Sequence, residues 1–147
     1  MKSFDENILK IIDKLSYEFF VIRLNKDIKC VCIKEGSNQP DPGCKRCLGT
    51  GYKIKIKLID GASQETTIPQ TFRTTAKFIV ARNYYIKTKY PVEMDDIIVD
   101  GDDVFFIYEK ANSISFKGNK VYQKCSAITK KLDSKLFLRN FNEIVGR

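Results

Sequence analysis

The chain has 147 residues, is 43% hydrophobic and 30% charged, and carries a formal net charge of +8 with no histidine. That length allows one domain with a modest core, and no stretch approaches the roughly 18 apolar residues of a membrane-spanning helix. The missing histidine removes the commonest general base near neutral pH and the commonest ligand of an open catalytic metal site.

The first residues, Met1-Lys2-Ser3-Phe4-Asp5-Glu6, turn polar and acidic at once, so the expectation is a product without a signal peptide that folds in a reducing cytoplasm. Ser3 and Glu6 have the spacing of a capping box. Phe4, Ile8, Ile11, Ile12 and Leu15 then recur at helical spacing, which predicts a helix over 3–16 with an apolar stripe for core or subunit packing. Residues 17–24 are β-branched and aromatic and read as a strand.

Cysteines come next, as Cys30-Val31-Cys32, eleven residues, and Cys44-Lys45-Arg46-Cys47-Leu48-Gly49-Thr50-Gly51. Four thiolates delivered as two short pairs suit a tetrahedral zinc ion and leave no open coordination position, so the expected role is structural. Pro40-Asp41-Pro42-Gly43 reverses the chain before the second pair, and Lys29, Lys34, Lys45 and Arg46 offset the local negative charge. A redox Cys-x-x-Cys would sit at a helix start near a βαβ unit, disulfides are disfavoured in a reducing compartment, and an iron site accepts the same four ligands. Zinc is the expected ion, because about 10–16 kcal/mol of binding free energy is enough to order a loop with few apolar residues. Cys125 is left over and reads as a buried strand thiol.

Tyr52, Ile54, Ile56 and Leu58 alternate with Lys53, Lys55 and Lys57, which predicts a strand with one buried face and a solvent-facing lysine row. Asp60-Gly61-Ala62-Ser63 reads as a turn, and 74–82 as a further strand. Ile97-Ile98-Val99 and Val104-Phe105-Phe106-Ile107-Tyr108 flank Asp100-Gly101-Asp102-Asp103, a strong hairpin signal. A second hairpin is expected from 112–116 and 121–129. Phe137, Phe141, Ile144 and Val145, followed by Gly146, predict a C-terminal helix over about 133–145. The expected fold is mainly β, a small barrel or sandwich with a helix at each end and a zinc-binding loop. In domain terms this is a single unit over 1–147, with the zinc loop at 29–51, the β core at 52–130 and the C-terminal helix at 131–147.

Charge is unevenly distributed, with seven acids and no base in 93–109 and nine bases against two acids in 110–147. One reading is a solvated surface with an acidic hairpin tip; the other is docking between copies through Asp100, Asp102 and Asp103. A cation site in that cluster is a weaker explanation of the same residues than hairpin-turn chemistry. No nucleophile elbow, phosphate-binding loop or dinucleotide fingerprint occurs, and no enzymatic activity is expected.

Two resemblances follow from these residues. Cys44 to Gly51 resembles the knuckle of DnaJ-type zinc domains over eight residues, without the repeated knuckles that would imply a chaperone. The run Pro91-Val92-Glu93-Met94-Asp95-Asp96-Ile97-Ile98, with Val104-Phe105-Phe106-Ile107 and Val121-Tyr122-Gln123, is similar to head-completion or head–tail stopper proteins of tailed bacteriophages. That resemblance covers roughly 90–130 and implies a virion protein of the phage neck, present in the host cytoplasm during assembly. It would form a homo-oligomeric ring, hexameric or dodecameric, between portal or adaptor and tail proteins, with DNA in the channel and no membrane partner. A zinc loop is not a constant feature of that family. The alternatives are a nucleic-acid-binding zinc ribbon using Tyr52, Lys53, Lys55 and Lys57, or a tail or baseplate component.

Overall fold

The computed structural model describes residues 4–33, 39–71, 76–87, 89–116, 119–129 and 134–146. Six strands form a closed, wholly antiparallel barrel, flanked by one helix at each end of the chain. The elements are α1 (Phe4–Leu15), β1 (Tyr17–Lys29), β2 (Tyr52–Thr71), β3 (Ala76–Lys87), β4 (Ile97–Asp100), β5 (Asp103–Phe116), β6 (Asn119–Thr129) and α2 (Ser134–Val145). Around the barrel the order is β1-β2-β3-β6-β5-β4, and β4 closes it by pairing with β1 through Phe20↔Val99, Val21↔Ile98 and Ile22↔Ile97. The barrel therefore begins at β1, and the cysteine segment is the connection between its first two strands.

Strand side chains alternate between the two faces of a sheet, and here both faces are used. Phe19, Val21, Ile59, Tyr84, Ile86, Ile98, Phe105, Ile107, Cys125 and Ala127 fill the interior with Val92. On the outside, Ile22, Ile97, Val99 and Val104 pack under α2 through Phe137 and Phe141, whose rings stack at 6.5 Å. A smaller patch, Ala62 and Tyr122, is covered by Ile12 of α1, and Tyr122 donates a hydrogen bond to Asp13. Covering both sides of Ile97-Ile98-Val99 explains why that run is apolar without alternation.

Three expectations change. The first concerns Asp60-Gly61-Ala62-Ser63, which is not a turn: β2 runs straight through it, pairing with β1 up to Gly61 and with β3 from Gly61 onward. A Cβ on Gly61 would lie 2.7 Å from the Tyr85 carbonyl oxygen and 3.1 Å from the Phe19 ring, so the glycine marks a close approach inside a strand. The second is the lysine row, which is exposed and alternates with half-buried Ile54 and Ile56 as expected, but stands on the interior-facing side of the strand. Lys53, Lys55 and Lys57 share their face with Ile59, the deeply buried residue; Lys55 and Lys57 line the open end of the barrel with Val21 and Arg23, and Lys53 lines the cleft beside it. Ile54 and Ile56 are half-buried toward α2, and Leu58 is 51% exposed. The third is the α1 stripe, which is only partly covered: Ile12 is buried, while Ile11 and Leu15 are 56% and 62% exposed.

The first expected hairpin has the predicted form. Asp100 pairs with Asp103, leaving Gly101 and Asp102 as a two-residue loop with Gly101 at φ 61, the glycine-first arrangement of a type II′ turn. The second hairpin is formed by β5 and β6, which pair down to Phe116↔Asn119. Ser3 of the capping box, Lys34, residues 74 and 75 of the expected strand and the Lys117-Gly118 turn lie outside the described residues.

Candidate metal centre

The connection from β1 to β2 is long and, among its described residues between Cys30 and Gly51, has no helix or strand of its own. Such a loop in a compact domain needs an organising interaction. Its two ends are joined by a bond from the Cys30 N–H to the Gly51 carbonyl at 2.9 Å. Each cysteine pair sits on a tight turn: the Ile33 N–H donates to the Cys30 carbonyl at 3.1 Å, and the Thr50 N–H to the Cys47 carbonyl at 3.0 Å. Leu48, Gly49 and Gly51 all adopt positive φ, and Gly51 leaves no room for a side chain between Ile33 and Pro40, each 3.2 Å from a Cβ built there. Asp41 accepts from the Gly43 N–H at 3.0 Å, an Asx-type turn that brings Cys44 round.

These turns bring together all four predicted ligands. The Sγ atoms of Cys30, Cys32, Cys44 and Cys47 lie within 4.8 Å of one another, with Cys30–Cys44 at 3.7 Å and Cys32–Cys47 at 3.6 Å. A tetrahedral ion with metal–sulfur bonds of about 2.3 Å requires sulfurs about 3.8 Å apart, so the arrangement is compatible with a single metal ion. Both of these contacts join one member of the first pair to one member of the second, which is how an ion would tie the two halves of the loop together. All five cysteines are free thiols. Among the described residues this is the one group of three or more cysteine, aspartate or glutamate side chains placed to hold a metal ion.

The local environment distinguishes the thiols. Burial opposes ionisation of Cys44, but the N–H groups of Cys47 and Arg46 and the neighbouring thiols outweigh it, and its pKa falls to about 7. Burial pushes Cys47 up to about 12. Lys45, expected to offset the thiolate charge, instead pairs with Glu143 of α2 at 2.5 Å.

That pair belongs to a contact the sequence reading missed. Leu48, between Cys47 and Gly49, is 2% exposed and packs with Phe137 and Phe141. The Asn140 side-chain N–H reaches the Gly43 carbonyl at 3.4 Å, and its Oδ1 is buried without a hydrogen-bond partner. The cysteine loop and the C-terminal helix therefore form one packed unit on the outside of the barrel. The only sequence signal was an apolar residue inside an otherwise polar knuckle.

Asp100, Asp102 and Asp103 come together at the β4–β5 turn, but not as an equivalent set. Asp100 accepts from Tyr17 at 2.5 Å, from Tyr84 at 2.9 Å and from Arg82 at 2.9 Å. Asp103 also meets Arg82, at 3.2 Å, and Asp102 is exposed. Arg82 lies 4.7 Å above the Phe105 ring. Further along the acidic run, Asp96 is buried and held by Arg23 at 3.0 Å, and Asp95 by Lys26 at 3.0 Å. Bases from β1 and β3 thus meet the acidic segment within the molecule, a pairing that charge counting along the chain does not reveal. Arg82 could have been suspected from its register, two residues before interior Tyr84.

No helix of the described residues is long and apolar enough to cross a membrane. Neither the family models nor the curated proteins contain a match to this chain.

Proposed function

We propose that this chain is a structural virion protein of a tailed-bacteriophage neck, assembling into a ring that completes the head and connects the portal to the tail. In this reading the four cysteines hold zinc as a structural ion. Zinc suits the donor set, because soft thiolates and a closed tetrahedron favour an ion without redox chemistry or an open site. The protein would be found in the virion, and in the host cytoplasm during assembly.

The observation that carries this reading is where the run similar to head-completion proteins lies. Pro91 to Ile98 leads into the strand that closes the barrel. Its polar residues are used to shape it: the Pro91 carbonyl accepts from Arg23 at 2.6 Å, and Asp96 accepts from the Glu93 N–H at 2.9 Å. Backbone bonds of 2.9 Å between Asp95, Asp96 and Ile107 then set the start of the hairpin. The pattern is thus a folding motif of the barrel. Support for assembly comes from apolar side chains exposed on the outer surface, Ile11 and Leu15 on α1, with 56% and 62% of each accessible.

Native mass spectrometry and electron microscopy of the purified protein test both parts. The expected result is a hexameric or dodecameric ring with one zinc per chain, broken to smaller species by Ile11→Ser with Leu15→Ser. A monomer at every concentration, alone and with portal protein, would reject the neck assignment. Bound iron, or no metal, would reject zinc and leave the assembly reading standing.

A nucleic-acid-binding zinc module is the second reading. It is favoured by Lys53, Lys55 and Lys57, which make no ion pair with any described residue. A DNA affinity falling steeply with salt would support it.

A further inference from the structure

Part of one edge of β2 is unpaired among the described residues. On one side the strand pairs with β1 without interruption from Gly61 to Lys53. On the other, its pairing with β3 stops at Gly61↔Ile86. β3 ends at Lys87, whose ammonium lies 3.4 Å from Asp60, and the Tyr90 N–H donates back to the Lys87 carbonyl at 3.0 Å, turning the chain out of the sheet and across the barrel mouth, where the Pro91 carbonyl accepts from Arg23. Among the described residues, no strand and no backbone hydrogen bond covers the β3-side edge of Lys53–Ile59. Below it lies a cavity of about 160 Å³ lined by Val21, Arg23, Lys55, Lys57, Ile59 and Tyr90 among others. It adjoins, through Arg23 and Lys55, a wider cleft of about 610 Å³.

We infer that this edge accepts an extended peptide strand from a partner protein, with acidic residues at alternate positions and apolar residues between them. Strand addition draws affinity from main-chain hydrogen bonds and specificity from alternate side chains. On the inner face, Lys53, Lys55 and Lys57 repeat every second residue, about 6.8 Å apart, the same period as the side chains of any extended strand laid beside them. Residues directly across from them would sit about 5 Å away, within reach of an ion pair for carboxylates and in conflict for lysines. On the outer face the neighbours would be half-buried Ile56 and exposed Leu58, which calls for apolar residues at the intervening positions.

The same edge argues against the other occupants. A second copy pairing β2 with β2 would place lysine rows face to face, the usual means by which edge strands avoid self-association. A DNA strand offers no backbone N–H donor to the free carbonyls of this edge, so it could meet the lysines but could not extend the sheet. The inference is independent of the neck assignment, since it concerns one edge of one barrel.

The test is fluorescence polarisation with the metal-loaded full-length protein and a labelled seven-residue peptide alternating Glu with Val or Leu. Saturable binding is expected, weakened at least tenfold by Lys53→Glu, Lys55→Glu and Lys57→Glu together and unchanged by Lys124→Glu, an exposed lysine on β6. N-methylation of the peptide backbone at alternate residues should abolish binding in one register and spare it in the other. Absence of binding would overturn the inference. So would equal binding by a peptide of the same composition with its acids contiguous, by both N-methylated series, or by a single-stranded DNA oligomer, because each would reduce the site to a basic patch.

Discussion

Asp100 shows how one side chain can be misread from its neighbours in sequence. In Asp100-Gly101-Asp102-Asp103 it looks like one of three equivalent turn acids, yet it accepts from two tyrosines and an arginine at the end of the barrel. Hydrogen bonds to a charged group are worth about 1.5–3 kcal/mol each. Asp100→Asn should therefore cost about 2–4 kcal/mol in urea unfolding, whereas Asp102→Asn should change stability by less than about 0.5 kcal/mol; equal effects would refute the distinction. Charge reversal meant to probe contacts between copies belongs at Asp102, since at Asp100 it would act on folding first. The same network fixes a pH dependence. Tyr17 is pushed up to about 12 from 10.0, first by burial and then by its hydrogen bond to Asp100, and burial raises Cys125 to about 12 from 9.0. Both groups hold their proton more tightly folded than unfolded. The stability they contribute is complete below their unfolded values and is lost as the pH climbs from about 9 to about 12. The urea midpoint should fall across that window, and less steeply in Tyr17→Phe with Cys125→Ala; a flat profile would contradict both assignments.

Packing between elements concentrates on two short pieces of chain. Gly61 lets β2 cross the Phe19 ring and the Tyr85 carbonyl without a break. Adding a methyl group there forces strand or ring to move, so Gly61→Ala should destabilise by about 1–3 kcal/mol, measurable as a lowered Tm. Leu48 joins the cysteine loop to α2, and Leu48→Ala should cost about 2–4 kcal/mol through the cavity it leaves. Its informative readout is local: amide exchange in α2 should accelerate while metal content stays at the wild-type level. Unchanged exchange would mean that α2 is held by the barrel alone. Both contacts were hard to see in the sequence for the same reason. A glycine in a strand resembles a turn glycine when flanked by aspartate and serine, and a leucine in a knuckle resembles any loop residue until its partner helix is known.

For the molecule as a whole, the metal loop and the barrel are connected through α2. Removing the ion with a chelator should therefore loosen the cysteine loop and α2 together while leaving the β-sheet circular dichroism signal in place, because the interior core contains no residue of the loop. Loss of sheet signal along with the metal would show that the barrel cannot stand without it. The distribution of charge also changes meaning at this scale. Four of the acids, Asp95, Asp96, Asp100 and Asp103, are met by Arg23, Lys26 and Arg82, so the run of seven acids along the chain is not an exposed acidic surface of equal charge. The lysines of β2, by contrast, stay without ion-pair partners among the described residues, and it is they that give the barrel mouth its character.

Local chemistry was readable from the sequence alone wherever a feature depends on residues close together in the chain. The four cysteines, the Asp100–Asp103 hairpin, the helix at each end and the predominance of strands all follow from spacing and from the conformations that glycine and β-branched residues favour. Barrel closure, the face on which each strand is buried and the partner of each charge were decided only by the tertiary structure. A period-2 pattern specifies two faces without specifying which is inside, and here helices cover part of the outer one as well. Lys53, Lys55 and Lys57 could thus follow buried Ile59 on the interior face, because the barrel opens where β3 ends. Neither that opening nor the free edge beside it is encoded within β2 itself; both arise from where another strand stops.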